Sequence, residues 1–177
     1  ETTSVMKTFS FIRSALFRRM SRKLKNISAL QKLVDHSKPS STDLETYNVT
    51  TLRENVKKID QTQIEKIEEI INEFKPAIII NRVRSKKDLL AGDNLVNLVK
   101  KYLDVELNYI GYIVESDKVR ESVEDMVPFL IKNPQSKPSE NLQQIIGTLT
   151  NTDLHLVKED GRIYVSKQVR LNSGWDA

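Results

Sequence analysis

"AIIINRVRS", Ala77–Ser85, is the stretch on which the fold turns. Four apolar residues run without a break and stop at an amide and an arginine. A continuous run, rather than an alternating one, predicts a strand buried on both faces, as in a parallel sheet. Ligands of an open α/β sheet lie outside the carboxyl ends of its strands. Asn81 and Arg82 therefore stand where such a sheet would meet its ligand. An Asn offers a donor and an acceptor to a purine edge, and an Arg stacks on a base or approaches a phosphate. A second reading is local: Asn81 caps the loop backbone and Arg82 points to solvent, since loops recruit Asn for turn geometry.

Working back from the strand, "DQTQIEKIEEIINEFK" predicts a helix that Pro76 stops. Asp60 with Gln63 three residues on makes a capping-box-like start, and Ile64, Ile67, Ile71 and Phe74 share one face. Working forward, "NLVNLVKKYL" predicts a helix with Leu95, Leu98, Val99 and Tyr102 inward. "ELNYIGYI", Glu106 to Ile113, is a second strand. A helix begins near Ser116 with Val119 and Val123. "PFLIKNPQSKPS" reads as irregular, and "ENLQQIIGTL" as a helix with Leu142, Ile145, Ile146 and Leu149 inward. Helix, strand, helix, strand, helix is an α/β order.

The start of the chain predicts a long helix over "TSVMKTFSFIRSALFRRMSRKLKNI", with Ser4 as its N-cap. Val5, Phe9, Ile12, Leu16 and Met20 form its apolar face. "SALQKLVDH" continues as a short helix, and Ser37 to Thr51 reads as a loop. The tail alternates apolar and polar residues about Asp160-Gly161, a hairpin signal, with strands expected near 154–158 and 162–169. Trp175 would dock the terminus or remain free.

Composition narrows the chemistry. With no cysteine there is no disulfide frame and no thiolate. Two well-separated histidines argue against a His-based metal site. No run reaches the roughly 18 to 20 apolar residues of a membrane span. A net charge of +4 does not by itself predict a nucleic-acid partner. Two parallel strands are too few for a doubly wound sheet, and the chain opens without Met. The expectation is a fragment whose remaining strands precede residue 1.

Residues 78–149 resemble the second half of MinD/ParA-type deviant P-loop ATPases, nearest to the FlhG/FleN-like branch. The marks are the strand ending in Asn-Arg, the "NYIGYI" strand with an Asp and a Val after it, a Pro-hydrophobic pair, an Asn-Pro-x-Ser turn and a closing amphipathic helix. "ETTSVMKTFSFIR" is similar to the segment that follows that family's Pro-Glu strand end. The resemblance covers roughly residues 1–150. It implies an α/β fold: a partial, doubly wound, P-loop NTPase-like parallel sheet lacking its N-terminal half, with a loop-rich insertion at 37–59 and a β-hairpin tail at 151–177. It implies a cytoplasmic, ATP-dependent switch, using magnesium and dimerising, that positions or regulates flagella, septum or chromosome. Peripheral membrane contact is part of the same expectation.

Carried over residue by residue, the resemblance places Asn81, with Arg82 beside it, against adenine. It places the turn carrying Val114, Glu115 and Asp117 over the base, although the family often has Pro where Val114 stands. No G-x-x-x-x-G-K-[ST] occurs in the chain, and the glycines at 92, 111, 147, 161 and 174 cannot build a phosphate loop. The chain alone should bind neither ATP nor magnesium and should not hydrolyse ATP; no catalytic residue falls within it. Its alternatives are a non-catalytic interaction module, or a basic adaptor for nucleic acid or a membrane surface.

The basic adaptor would act through helix residues 13–25, with Arg18, Arg19, Arg22 and Lys23 as its surface and Phe17 as an anchor. The plainer reading is a solvated polar face. His36 and His155 read as surface residues. Glu65, Glu68 and Glu69 read as solubilising, and Tyr109 and Tyr112 as packing.

Overall fold

A computed structural model describes residues 3–24, 32, 34 and 48–150, and the backbone alone at Thr2, 152–159 and 162–169. Within these the chain is a mixed α/β structure, mostly helical, with a two-stranded parallel sheet. In order the elements are α1 (Thr2–Lys23), α2 (Val49–Ile59), a 3-10 turn (Gln61–Gln63), α3 (Ile64–Asn72), β1 (Ala77–Val83), α4 (Lys86–Leu103), β2 (Asn108–Val114), α5 (Asp117–Glu124), α6 (Phe129–Lys132), α7 (Lys137–Thr150), β3 (Thr152–Glu159) and β4 (Arg162–Val169). Two compact units result: Glu1–Ala77 with Leu90–Tyr109, and Ile78–Leu89 with Ile110–Ala177.

The first unit is built on apolar helix faces. Phe9, Ile12, Leu16 and Met20 are buried along α1, as their spacing predicts. Ile67, Ile70 and Ile71 of α3 and Leu95, Val99 and Leu103 of α4 are buried as well. Phe9 meets Tyr102 edge to face, ring centres 6.0 Å apart. Arg53 of α2 grips Glu68 with two hydrogen bonds of 2.6 Å and reaches Asp104 at 2.9 Å. Those carboxylates hold its pKa above the usual value against the effect of burial.

Several expectations in this unit are corrected. Ser4 lies inside α1, which begins at Thr2, so it is not the N-cap. Phe17 is fully buried and cannot be a surface anchor; Phe11, 73% exposed, is the aromatic that faces out. Arg13 leaves the basic face too, being buried over the Phe9 ring, where desolvation lowers its pKa. Residues 49–59 are helix rather than loop. Asn48 caps that helix by accepting from the Thr51 N–H at 2.8 Å, and Val49, Leu52 and Val56 bury its inner face. Asp60 caps the 3-10 turn instead of opening α3 directly, accepting from the Thr62 N–H.

In the second unit, Ser116 caps α5 through its hydroxyl, as its position suggests. Ser85 and Asp88 form a capping box at the start of α4: the Asp88 carboxylate accepts from the Ser85 N–H at 2.8 Å. Leu149, expected inward, is 61% exposed, and Val123 of α5 is 73% exposed. The "PFLIK" segment forms α6, and α7 opens at Lys137. β3 and β4 pair antiparallel from Thr152↔Val169 to Glu159↔Arg162. The turn expected at Asp160-Gly161, His36, the side chain of His155, Trp175 and most of the short helix read at 28–36 lie outside the described residues.

β1 departs most from its sequence reading. It is not buried on both faces: Ala77 and Ile79 are exposed, Ile78 and Ile80 half-buried, and only Val83 is buried. The cause is the number of neighbours. Among the described residues β1 pairs with β2 alone, so the apolar run lacks the flanking layers that make a central strand dry. Asn108 donates to the Pro76 carbonyl at one end and Glu115 to the Val83 carbonyl at the other, so the strands run parallel. Carbonyls facing one neighbour recur every second residue. Pro76 and Val83 are an odd number of residues apart, so the ladder changes phase once. Arg82 marks the place. Its φ of 60° is left-handed, and its N–H goes to the Asn81 Oδ1 at 2.9 Å instead of to the ladder.

Candidate functional site

At the carboxyl ends of β1 and β2 the second unit encloses a cavity of about 390 Å³. Asn81, Arg82, Val114 and Glu115, four of the five residues expected on the adenine side, line it together. Asp117 does not; it is exposed and paired with Arg120 at 2.8 Å. Ser116, within the same turn, lines the cavity too, as do Arg120, Ile113, Val119 and Phe129, which were not singled out for it.

Glu115 is the electrostatic centre. Arg82 donates to its Oε1 from Nε at 3.0 Å and from an Nη at 2.6 Å. Arg84 donates to the same carboxylate through Nε and, at 3.0 Å, through an Nη. These bonds, with Arg84 first and Arg82 next, lower the Glu115 pKa from 4.5 to about 2. The same pairing raises the pKa of Arg84. Two guanidiniums share the Glu115 carboxylate, and Asp88 adds a second negative charge near Arg84. Arg82 therefore does not simply point to solvent: it closes a clamp between the two strand ends.

Asn81 combines both roles read from the sequence. Its Oδ1 caps the Arg82 N–H, which is the local reading. Its Nδ2 has no protein partner among the described residues, and its Oδ1 keeps a second lone pair. The amide can thus present a donor and an acceptor beside the cavity while holding the backbone.

Asn141, which the sequence did not single out, supports the other strand end. It is 2% exposed on α7, and its Oδ1 accepts from the Val114 N–H at 3.3 Å. A buried Asn within an amphipathic helix was the available signal, because such a group needs a partner. α7 is itself anchored by Ser136 and Ser139, whose hydroxyls lie 2.9 Å apart, and Ser139 donates to the Asn133 carbonyl at 2.7 Å.

The four basic residues of the first unit also converge. Arg18, Arg19, Arg22 and Lys23 line a groove of about 510 Å³ with Phe11, Ser14, Ala15 and Phe74. Glu73 sits between Lys23 and Arg19, which lower its pKa through their hydrogen bonds, Lys23 first. Glu68 holds Arg53, whereas Glu65 and Glu69 are exposed. Among the described residues there is no group of three or more His, Cys, Asp or Glu suited to a metal, and no helix long and apolar enough to cross a membrane. Compared with known proteins, the chain matches no family model, no curated protein and no solved structure.

Proposed function

We propose that the cavity at the ends of β1 and β2 is the purine side of a nucleotide site, and that the chain is part of a MinD/ParA-like, ATP-dependent switch of the FlhG-like kind. The observation that carries this reading is the Asn81 amide, with its free Nδ2 beside a cavity at the carboxyl edge of a parallel strand pair. The base would lie against Phe129, Ile113 and Val114, with the Asn81 amide reading its edge. The Arg82 guanidinium, which lines the cavity, could approach the anionic side of a nucleotide.

The residues present fit the base but not the phosphates or magnesium. No glycine-rich phosphate loop occurs in the sequence, and no group of three or more His, Cys, Asp or Glu suited to a metal occurs among the described residues. On this reading a segment outside the present sequence supplies the phosphate loop, the catalytic groups and the metal ligands. It also supplies the strands that would cover β1. ATP-dependent homodimerisation, a cytoplasmic or membrane-peripheral location, a role at the flagellar or division machinery and a hairpin tail belong to the same proposal.

Titrating the isotope-labelled protein, extended by the sequence encoded upstream, with adenosine and AMP at millimolar concentration tests the base site by NMR. The expected shifts concentrate on the Asn81 side-chain amide and the Val114, Glu115 and Ser116 backbone, and Asn81→Ala removes them. Adenosine shifts that bypass these groups, or none at all, would sink the base-reading role. The sequence encoded immediately upstream tests the class, since the proposal requires a G-x-x-x-x-G-K-[ST] motif there.

A further inference from the structure

We infer that the groove along the outer face of α1 in the first unit is a docking site for an acidic, aromatic-bearing peptide segment of a partner protein. Phe11, Ser14, Ala15, Arg18 and Arg22 recur at three- and four-residue steps, so they form one stripe of the helix. The stripe is the reverse of the face that buries Phe9, Leu16 and Met20. It is therefore not needed for the unit's own core.

Its chemistry selects the occupant. Phe11 is 73% exposed at one end, and Phe74 contributes a partly buried ring to the same groove. At the other end Arg18 and Arg22 have no ion-pair partner among the described residues, whereas Arg19 and Lys23 are already tied to Glu73. Glu73 is an internal precedent: this cluster already seats a carboxylate and favours its charged form. Arg18 and Arg22, one helical turn apart, rise about 6 Å along the axis. Alternate residues of an extended strand are about 6.6 Å apart. Two glutamates on one face of an extended peptide thus meet both guanidiniums, whose planar forks suit carboxylates. An aromatic side chain of the peptide would then rest against Phe11.

Two other polyanions fit less well. A bilayer is a broad surface, and this site is a concavity with one exposed aromatic. A nucleic-acid strand brings a phosphate at every step, whereas only Arg18 and Arg22 of this cluster lack an ion-pair partner among the described residues.

The test uses the full chain and a fluorescein-labelled acidic–aromatic peptide, EEFEEFEE, followed by anisotropy. The peptide should bind with an affinity that falls as salt rises. The double variant Arg18→Ala, Arg22→Ala should weaken binding about ten-fold or more. Phe11→Ser should weaken it about three-fold or more. Arg18→Lys with Arg22→Lys keeps the charge but loses the fork, and should fall between wild type and the double alanine variant. The replaced side chains face out, so a helical circular-dichroism melt should match wild type.

Three results would each overturn the inference. The first is no peptide binding. The second is binding indifferent to Arg18 and Arg22, or equal binding of the uncharged QQFQQFQQ. The third is equal or tighter binding, through the same arginines, of single-stranded DNA or of phosphatidylglycerol vesicles.

Discussion

The two units use their apolar residues in opposite ways. The first buries them: three helices contribute Phe9, Leu16, Phe17, Met20, Ile67, Ile71, Leu95 and Val99 to one dry interior. In the second, Val83 and Ile145 are the only buried hydrophobic side chains among the described residues, and the buried polar set is Ser122, Ser136, Ser139 and Asn141. Ile79, Val123, Met126, Val127, Ile131 and Leu149 are left outside. The first unit is held by area removed from water. The second is held by hydrogen bonds, caps and one close backbone contact. The candidate cavity lies in the unit with fewer buried apolar side chains among the described residues, where small changes to polar groups should matter more.

The contrast is broken most directly by truncation. Phe17→Ala should cost about 3–5 kcal/mol by opening a cavity in the first unit. Met126→Ser, at a residue 92% exposed, should stay within about 0.5 kcal/mol. Urea unfolding measures both. Equal losses would mean that the exposed residues of the second unit are covered in solution.

Gly111→Ala should have the next largest effect, about 2–3 kcal/mol. The φ at Gly111 is +145°, and a Cβ there would stand 2.8 Å from the Ile145 Cγ1. The strain is in the backbone as well as in packing, so in an Ile145→Ala background, which lacks Cγ1, the Gly111→Ala loss should shrink only in part. Its disappearance there would show that the contact alone matters.

Asn141→Ala removes the acceptor of the Val114 N–H and should cost about 1–2 kcal/mol. Its sharper readout is local: the amides of Val114 and Glu115 should exchange with solvent faster, while those of the first unit hold. A uniform change across both units would mean that α7 supports the whole chain and not the site alone.

The smallest effect concerns pH. Glu115 is charged in the folded chain down to about pH 2, against the usual 4.5, because Arg84 and Arg82 bind its carboxylate. Its contribution to stability is therefore complete above about pH 4.5 and disappears as pH falls towards 2. The side-chain carboxyl resonance of Glu115 should titrate near 2 and move up towards 4.5 in Arg84→Ala. A midpoint already at 4.5 in the wild type would show that solvent has broken the clamp.

The helices of the first unit were largely legible because a dry interior enforces a period of 3.6 and leaves it in the sequence, as at Phe9, Ile12, Leu16 and Met20. α2 was missed: the polar run before it reads as loop, and Asn48 ahead of Val49, Leu52 and Val56 was the overlooked signal. At β1 the apolar letters were read correctly as a strand, but burial depends on neighbours that a local pattern does not record. Four cavity residues were legible because strand ends are where open sheets meet ligands. Phe129 and Asn141 were not, because they reach the site from separate segments through tertiary geometry. The left-handed turn at Arg82 leaves no mark in a residue type that rarely adopts it.

That turn ties recognition to the shape of the strand. One amide group keeps the Arg82 N–H occupied while the same residue lines the cavity. Any ligand that rotated the Asn81 side chain would release a main-chain donor at a left-handed residue, and the strand end would lose its latch. Shape and recognition can be uncoupled with one atom: Asn81→Asp keeps the acceptor that latches the backbone and deletes the donor that would greet a base.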